Sequence, residues 1–291
     1  MMRSQTHKYS EEPTVRDLNS RVTILTGASR GLGRHIARGL ASKGARLALA
    51  ARNAEMLEEV ADSLRAGGAT VEVIPTDVSQ KAQLEHLHAE TERRLGPVDL
   101  LINNAALERV TRYSTCDFDD IEADLNVNVR AVMYLTRLVL PGMVQRNRGH
   151  IVNMASLAAL GGYAHGESYV ATKHAVLGFT RALRASLQSE GRRVSASAVC
   201  PGYVSETGMF ARKVSSHGSE APGIMGTSSP DAVVKAVLKA IQTDAAEVVV
   251  NPRPVRPMVA MALLFPHVGE WLARKIGISG VSQRILDHED A

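Results

Sequence analysis

Short apolar segments alternate with amphipathic helical segments along most of the chain. The apolar segments are residues 22–26, 46–50, 71–75, 98–102, 151–154, 194–199 and 247–250. A strand with one solvent-exposed face alternates polar and apolar residues. These segments lack that alternation, so we predict that both of their faces are buried. Strands of that kind, separated by helices, form parallel sheets. The pattern therefore predicts an α/β fold with a doubly wound, parallel, seven-stranded sheet.

No linker rich in proline, glycine or serine divides this pattern, which favours a single domain. We expect a flexible N-terminal tail over residues 1–20, a dinucleotide-binding catalytic domain over 21–251 and an apolar extension over 252–291. Pro141 predicts a break or restart within the helical stretch 118–146. The segment 205–229 is rich in glycine, serine and proline, and we expect a long functional or mobile loop there.

Composition excludes several classes of protein. The 291 residues carry a net charge of only +4 with scattered arginines, so we expect no nucleic-acid partner. Two cysteines, Cys116 and Cys200, are too few for a disulfide framework or a thiolate metal site. The histidines show no metal-binding spacing, and we predict no metal. Without a signal-like or membrane-spanning segment, a cytoplasmic location is expected.

A glycine-rich turn follows the first predicted strand. It reads Thr26-Gly-Ala-Ser-Arg-Gly-Leu-Gly33 and leads directly into a predicted helix. Glycines allow a tight turn and a close approach of a ligand to the backbone. The N-terminus of the helix presents free N–H groups to an anion such as a pyrophosphate. In this strand–turn–helix context, the turn predicts a dinucleotide site.

The end of the second predicted strand bears on the choice of nicotinamide cofactor. Sites that prefer NAD usually hold the ribose 2′-hydroxyl with an acidic residue at that position. This chain has Arg52-Asn53 there, and Arg30 lies in the glycine turn. Two guanidinium groups favour a 2′-phosphate, so we predict NADP. The alternative is that Arg52 is a solvated charge at the strand end.

Three residues further along could carry proton chemistry. Tyr169 and Lys173 are four residues apart on a predicted helix and therefore share a face. A nearby ammonium group lowers a phenol pKa by favouring the phenolate. Ser156 ends the fifth predicted strand, at the sheet edge where ligands bind in folds of this class.

Taken together, these motifs resemble the short-chain dehydrogenase/reductase family over about residues 21–250. The glycine turn matches the family pattern T-G-x-x-x-G-x-G, and Asp77-Val78 follows the third strand where the family contacts adenine. Residues 103–106 match N-N-A-G except that Ala106 replaces glycine. Ser156, Tyr169 and Lys173 have the family spacing, and Pro201-Gly-Tyr-Val204 matches the P-G-x-V segment beside the nicotinamide.

The resemblance implies a Rossmann-type fold and a set of functional residues. The implied catalytic residues are Asn128, Ser156, Tyr169 and Lys173, with Asn126 as a competitor of Asn128. Tyr169 would exchange a proton with the substrate oxygen, Ser156 would hydrogen-bond that oxygen, and Asn128 would anchor a water leading to Lys173. The implied cofactor contacts are Gly27, Ser29, Arg30, Gly31, Leu32, Gly33, Arg52, Asp77, Val78, Asn104, Ala105, Tyr169, Lys173, Pro201, Gly202 and Val204.

The expected activity is NADP(H)-dependent interconversion of a carbonyl and an alcohol on a small molecule. The extension resembles those of family members that act on lipophilic substrates, so a lipophilic ketone or aldehyde is expected. The alternatives are a 3-oxoacyl thioester reductase and a non-catalytic NADP-binding regulatory protein. The extension could cover an apolar substrate as a lid, form a subunit interface or lie on a membrane surface. The resemblance also implies a homodimer or homotetramer.

Overall fold

A single parallel sheet organises the part of the chain that the computed structural model describes, residues 17–217, 221–223 and 225–289. The predicted tail lies outside this part except for residues 17–20. The strands are β1 (Val22–Thr26), β2 (Arg46–Ala51), β3 (Val71–Pro75), β4 (Leu100–Asn103), β5 (Gly149–Met154), β6 (Val194–Pro201) and β7 (Glu247–Val250). Their order is β3-β2-β1-β4-β5-β6-β7, all parallel, which confirms the predicted fold.

Two layers of helices cover the sheet. One face carries α1 (Leu32–Ala41), α2 (Ala54–Arg65) and α8 (Pro230–Gln242), and the other carries α3 (Lys81–Leu95), α5 (Ala131–Gln145) and α6 (Glu167–Ser189). Every residue of β1, β4, β5 and β6 is buried, as expected for strands covered on both sides.

The predicted break at Pro141 is wrong. Helix α5 continues through this proline to Gln145. Pro141 is exposed and lies in the last turns, so its missing N–H does not interrupt the buried face of the helix. The interruption lies earlier, where a single π-helical turn over Asn126–Arg130 separates α4 (Phe118–Leu125) from α5.

Two segments that the sequence left without regular structure contain helices. The loop expected over 205–229 includes α7 (Gly208–His217). The C-terminal extension forms α9 (Arg256–Leu264), α10 (Pro266–Ile276) and α11 (Gly280–Glu289). Pro257 and Pro266 occupy the first turns of α9 and α10, where a proline initiates a helix instead of breaking it. No helix within the described ranges is long and apolar enough to span a bilayer.

The strand order places a crevice beside β1. Strand β1 lies between β2 and β4, so the helices after β1 and β4 leave on opposite faces of the sheet. At such a switch point the loops diverge, and ligands bind at the carboxyl ends of the strands.

Away from this crevice, buried polar groups connect β5, β6 and the loop before β7. The Nε2 of His150 lies 2.9 Å from the Oγ of Ser197, and Arg184 donates to Asp244 at 2.7 Å. His150 is fully buried. Burial lowers the pKa of His150 to about 4, with Asp244 opposing the shift.

This burial predicts acid sensitivity of the fold. In the unfolded chain His150 takes up a proton near pH 6.5, whereas in the folded protein it does so only near pH 4. The contribution to stability is therefore complete above pH 6.5 and is lost as the pH falls toward 4. Between pH 7 and pH 5 we expect the free energy of unfolding to fall by about 2 kcal/mol on this account.

Urea unfolding of wild type and His150→Asn at both pH values measures this loss. The variant should lose less stability on acidification than the wild type, whatever its absolute stability. His86→Gln, at an exposed position on α3, serves as the control and should behave as the wild type. An equal pH dependence of wild type and His150→Asn would contradict the prediction.

Candidate active site

A cavity of about 820 Å³ opens at the carboxyl ends of the strands, beside β1. Its wall includes every residue implied as a cofactor contact, together with Ser156. Thus the structure brings together residues that are up to 177 positions apart, from Gly27 to Val204. Asn128 is the exception among the implied site residues and lies behind the cavity wall.

The glycine turn follows β1 and packs tightly on the start of α1. A Cβ atom at Gly33 would lie 2.0 Å from the carbonyl oxygen of Gly27, so only glycine lets the helix begin this close to the turn. Gly31 has a φ of 59°, a conformation that favours glycine. The first turn of α1 contains no acidic residue that would compete with an anion for the free N–H groups.

A hydrogen-bond clamp joins the glycine turn to the loop after β4. The Oγ1 of Thr26 accepts from the backbone N–H groups of Asn104 and Ala105 at 3.0 and 3.1 Å. The side-chain amide of Asn104 donates to the carbonyl oxygens of Thr26 and Gly27 at 3.0 and 3.2 Å. These bonds hold the two sides of the crevice at the switch point.

Positive charge lines one end of the cavity. Arg30 and Arg52 are exposed at its edge, and Asn53 uses its side chain to cap α2 by accepting from the N–H of Met56 at 2.8 Å. Arg212 on α7 also lines the cavity. Burial and the nearby Arg30 guanidinium lower the pKa of Arg212. The charge of this end suits a phosphate group.

The proton-transfer candidates converge at the other end. Tyr169 and Lys173 lie one turn apart on α6, and the Nζ of Lys173 is 5.5 Å from the centre of the Tyr169 ring. Lys173 donates to the carbonyl oxygen of Met154 at 2.9 Å, which fixes it against the end of β5. The Oγ of Ser156 accepts from the N–H of Ala158 at 3.1 Å and donates to the carbonyl of Pro201 at 3.4 Å.

Burial controls the protonation of this cluster. It raises the pKa of Tyr169 above its ordinary value; the Glu108 carboxylate raises it further, and the hydrogen bond with Ser156 opposes the rise. The phenol is therefore protonated at neutral pH. Burial lowers the pKa of Lys173 to about 8, again against the effect of Glu108. The lowering of the Tyr169 pKa by Lys173 that the sequence suggested stays a prediction.

Asn128 lies in the π-helical turn and is buried. Its side chain accepts from the N–H of Leu107 at 2.8 Å and donates to the carbonyl of Leu107 at 2.8 Å and to Thr172 at 3.1 Å. Asn128 thus links the loop after β4 to Thr172 of α6, the residue that precedes Lys173. Asn126 is only partly buried in the same turn. The water relay from Asn128 stays a prediction.

Glu108 is a residue of the candidate site that no sequence motif indicated. It lines the cavity and accepts a hydrogen bond from the Tyr163 hydroxyl at 2.9 Å. Its carboxylate raises the pKa values of Tyr163, Tyr169 and Tyr203, after burial as the main cause. The sequence signal is weak, because Glu108 lies outside the motif of residues 103–106 and meets Tyr163 only in the folded chain.

The C-terminal extension supplies an apolar wall to the same cavity. Met258, Val259 and Ala262 of α9 and Leu272, Ala273 and Ile276 of α10 line it. Helix α11 packs Ile285 and Leu286 against Val110, in the loop after β4. His165, in the loop before α6, contacts Gln283 of α11 through Nε2 at 3.2 Å and does not line the cavity.

The described residues offer no cluster of three or more histidine, cysteine, aspartate or glutamate side chains able to hold a metal ion. Cys200 is buried, and burial raises the pKa of its thiol to about 12, which makes it a packing residue.

Comparison with known proteins identifies the family. The family model described as short chain dehydrogenase matches residues 21–218, more than half of the chain. The chain belongs to the short-chain dehydrogenase/reductase family. It is 38% identical over 273 residues to the ketoacyl reductase HetN of Nostoc sp. strain PCC 7120, an alignment that covers 92% of this chain and 93% of that protein.

Solved structures of family members superpose well on this chain. One is a short-chain dehydrogenase/reductase from Burkholderia phymatum in complex with NAD, with a TM-score of 0.75, 28% identity and coverage of 88% of this chain and 96% of that one. Another is a variant of actinorhodin polyketide ketoreductase with NADPH, with a TM-score of 0.73, 31% identity and coverage of 79% and 95%.

This short-chain dehydrogenase/reductase is therefore an oxidoreductase that acts on CH–OH groups with a nicotinamide cofactor. Its substrate is a small molecule. The neighbouring structures contain NAD in one case and NADPH in the other, so they leave the choice of cofactor open.

Proposed function

We propose that this enzyme uses NADP(H) to interconvert a carbonyl and an alcohol on a lipophilic ketone or aldehyde, with Tyr169 as the acid/base. The observation that carries this proposal is the shape of the cavity. It joins Ser156, Tyr169 and Lys173 on one side to the apolar face of α9 and α10 on the other. A substrate carbonyl that reaches Tyr169 therefore lies among apolar side chains.

The cavity fits a dinucleotide along the glycine turn. The close packing of Gly33 on Gly27 leaves backbone exposed to a pyrophosphate, and the residues implied as cofactor contacts all line the wall. Arg30 and Arg52 would hold a 2′-phosphate, while Asp77 and Val78 would contact the adenine. When bound, NADPH supplies the hydride.

The chain's own groups control the proton and the developing charge. Tyr169, protonated at neutral pH, would donate its hydroxyl proton to the carbonyl oxygen as that oxygen becomes an alkoxide. The Ser156 hydroxyl now donates a weak 3.4 Å hydrogen bond to the carbonyl of Pro201, and it would donate to the substrate oxygen instead. Lys173, with a pKa near 8, would keep positive charge beside the phenolate that remains and bind the nicotinamide ribose.

Replacing Tyr169 with Phe tests the acid. We expect turnover to fall by roughly a hundred- to ten-thousand-fold, because the ring stays and only the proton donor is lost. NADPH binding, measured by calorimetry, should stay close to that of the wild type. Lys173→Ala should impair both turnover and binding. Substantial activity of the phenylalanine variant would contradict the role of Tyr169.

Replacing Arg52 with Asp tests the cofactor. A carboxylate at this position would repel a 2′-phosphate and accept a bond from a 2′-hydroxyl, so preference should shift toward NADH. We expect the ratio of kcat/KM for NADPH to that for NADH to fall at least tenfold, since a charge-assisted hydrogen bond is lost. A wild-type enzyme that uses both cofactors equally well would refute the proposal of NADP.

A second candidate is reduction of a 3-oxoacyl thioester. It is favoured by the names of similar proteins, a ketoacyl reductase and a polyketide ketoreductase. The apolar wall would then hold an acyl chain. Oxidation of NADPH with 3-oxoacyl thioesters and with bulky and small ketones separates the two activities. No turnover of any carbonyl, with NADPH binding intact, would favour the remaining alternative, a non-catalytic NADP-binding regulatory protein.

Substitutions on the extension test the apolar wall. Ala273→Phe fills the cavity from α10, whereas Ala260→Phe adds the same side chain on the exposed face of α9, outside the cavity. We expect Ala273→Phe to lower kcat/KM for a bulky ketone at least tenfold relative to a small one, because overpacking excludes the larger substrate. The Ala260 variant should keep the wild-type ratio. Equal ratios in both variants would show that the extension does not select substrates.

Assembly and location complete the proposal. We propose a homodimer or homotetramer, because large apolar side chains are exposed on the adjoining helices α4 and α5: Phe118, Leu125, Met133 and Tyr134. Residues 21–251 would be the catalytic domain, and residues 252–291 an extension that packs on it. We propose a cytoplasmic location.

A further inference from the structure

The turn between α9 and α10 exposes a dense group of large apolar side chains, named here the hairpin tip. It consists of Met261, Leu263, Leu264, Phe265, Val268 and Trp271. Leu264 is 74% exposed, Phe265 60% and Trp271 51%. Of the large apolar side chains that are exposed among the described residues, half lie in this stretch of eleven. Such a concentration exceeds what scattered surface residues explain and marks an interaction surface.

The way the two helices pack keeps the hairpin tip uncovered. A Cβ atom at Gly269 would lie 2.7 Å from the Cβ of Ala262, so α9 and α10 are in close contact. Their inner faces line the cavity, and the tip residues point away from it except for Leu263, at its mouth. Rotating Leu264 and Phe265 inward would break the contact between Ala262 and Gly269.

Positive charge borders the hairpin tip. Arg274 and Lys275 are exposed in the last turn of α10, and within the described ranges neither pairs with a carboxylate. The Nζ of Lys275 lies 5.0 Å from the centre of the Trp271 ring. The single carboxylate of α10, Glu270, lines the cavity. An apolar tip with tryptophan and unpaired basic groups suits an anionic lipid surface.

We propose that the hairpin tip docks on an anionic lipid bilayer. Leu264, Phe265 and Trp271 would enter the interface between headgroups and acyl chains, while Arg274 and Lys275 would contact lipid phosphates. Leu263 of the hairpin tip and the neighbouring Pro266 are exposed and line the cavity, so docking would open the cavity toward the lipid. This surface binding does not depend on the proposed reaction.

A second copy of the chain is the competing occupant. The exposed apolar residues on α4 and α5 provide a separate surface for subunit contact, one without α9 and α10. A two-fold contact through the hairpin tip would also bring two sets of Arg274 and Lys275 near each other. Charge therefore favours the lipid surface over a copy.

Trp271 provides a direct readout, because it is the only tryptophan in the chain. The full chain is mixed with vesicles of phosphatidylcholine alone or of phosphatidylcholine and phosphatidylglycerol in equal parts. We expect a blue shift of tryptophan emission and co-sedimentation with the mixed vesicles, both weaker with phosphatidylcholine alone. Absence of both signals with the mixed vesicles would overturn the proposal.

Matched variants locate the binding surface. The double variant Leu264→Ser/Phe265→Ser should lower vesicle partitioning at least tenfold, because it removes the two large apolar side chains whose transfer from water to the bilayer favours binding. Arg274→Gln/Lys275→Gln should lower it about tenfold on the mixed vesicles only. Phe118→Ser, at a more exposed phenylalanine on α4, should bind as the wild type.

Two further outcomes, seen with the variants, would reject the lipid surface as the partner. One is equal vesicle binding by the Leu264/Phe265 variant and the wild type. The other is dissociation of an oligomer, seen by sedimentation without lipid, in the Leu264/Phe265 variant but not in Phe118→Ser. That result would assign the hairpin tip to a second copy. A failed carbonyl assay would leave vesicle binding measurable, so the two proposals fail separately.

Discussion

The Thr26 hydroxyl holds together the two strands between which the site forms. It accepts two backbone N–H groups from the loop after β4, and Asn104 returns two bonds to the glycine turn. Because β1 and β4 send their helices to opposite faces, these four bonds extend the contact between the two sides of the crevice beyond the β1–β4 ladder. They fix the glycine turn against the start of the loop after β4, while Asn128 and Tyr163 hold the later part of that loop, which carries Glu108.

Much of this arrangement could be predicted from the sequence, because its signals are local. Strands buried on both faces are continuously apolar, and the glycine turn must follow a strand and begin a helix. Tyr169 and Lys173 share a face by helical spacing alone. Ser156 could be placed because it closely follows a strand. The roles of these residues, and of Arg30 and Arg52, depend on a ligand and stay proposals.

The features that could not be predicted depend on contacts between distant segments. Glu108 meets Tyr163 across 55 residues, and burial, which no motif shows, raises the pKa of Tyr169. The helices of the extension also depend on tertiary contact, because Pro257 and Pro266 begin α9 and α10, whose inner faces line the cavity. The break predicted at Pro141 does not occur, because one face of α5 packs on the core and Pro141 lies on the exposed face. There the helix tolerates the missing backbone N–H group.

The π-helical turn at Asn126–Arg130 also bears on the rotational phase between α4 and α5. Each residue of an α-helix advances the next by about 100°. A π turn holds one residue more than an α turn, so deleting one residue there would let the segment close into continuous α-helix and keep α5 in phase with α4. The same deletion would withdraw Asn128 from Leu107 and Thr172. The extra residue of the turn therefore serves to place the Asn128 amide between the loop after β4 and α6, and the packing of α5 on the sheet does not require it.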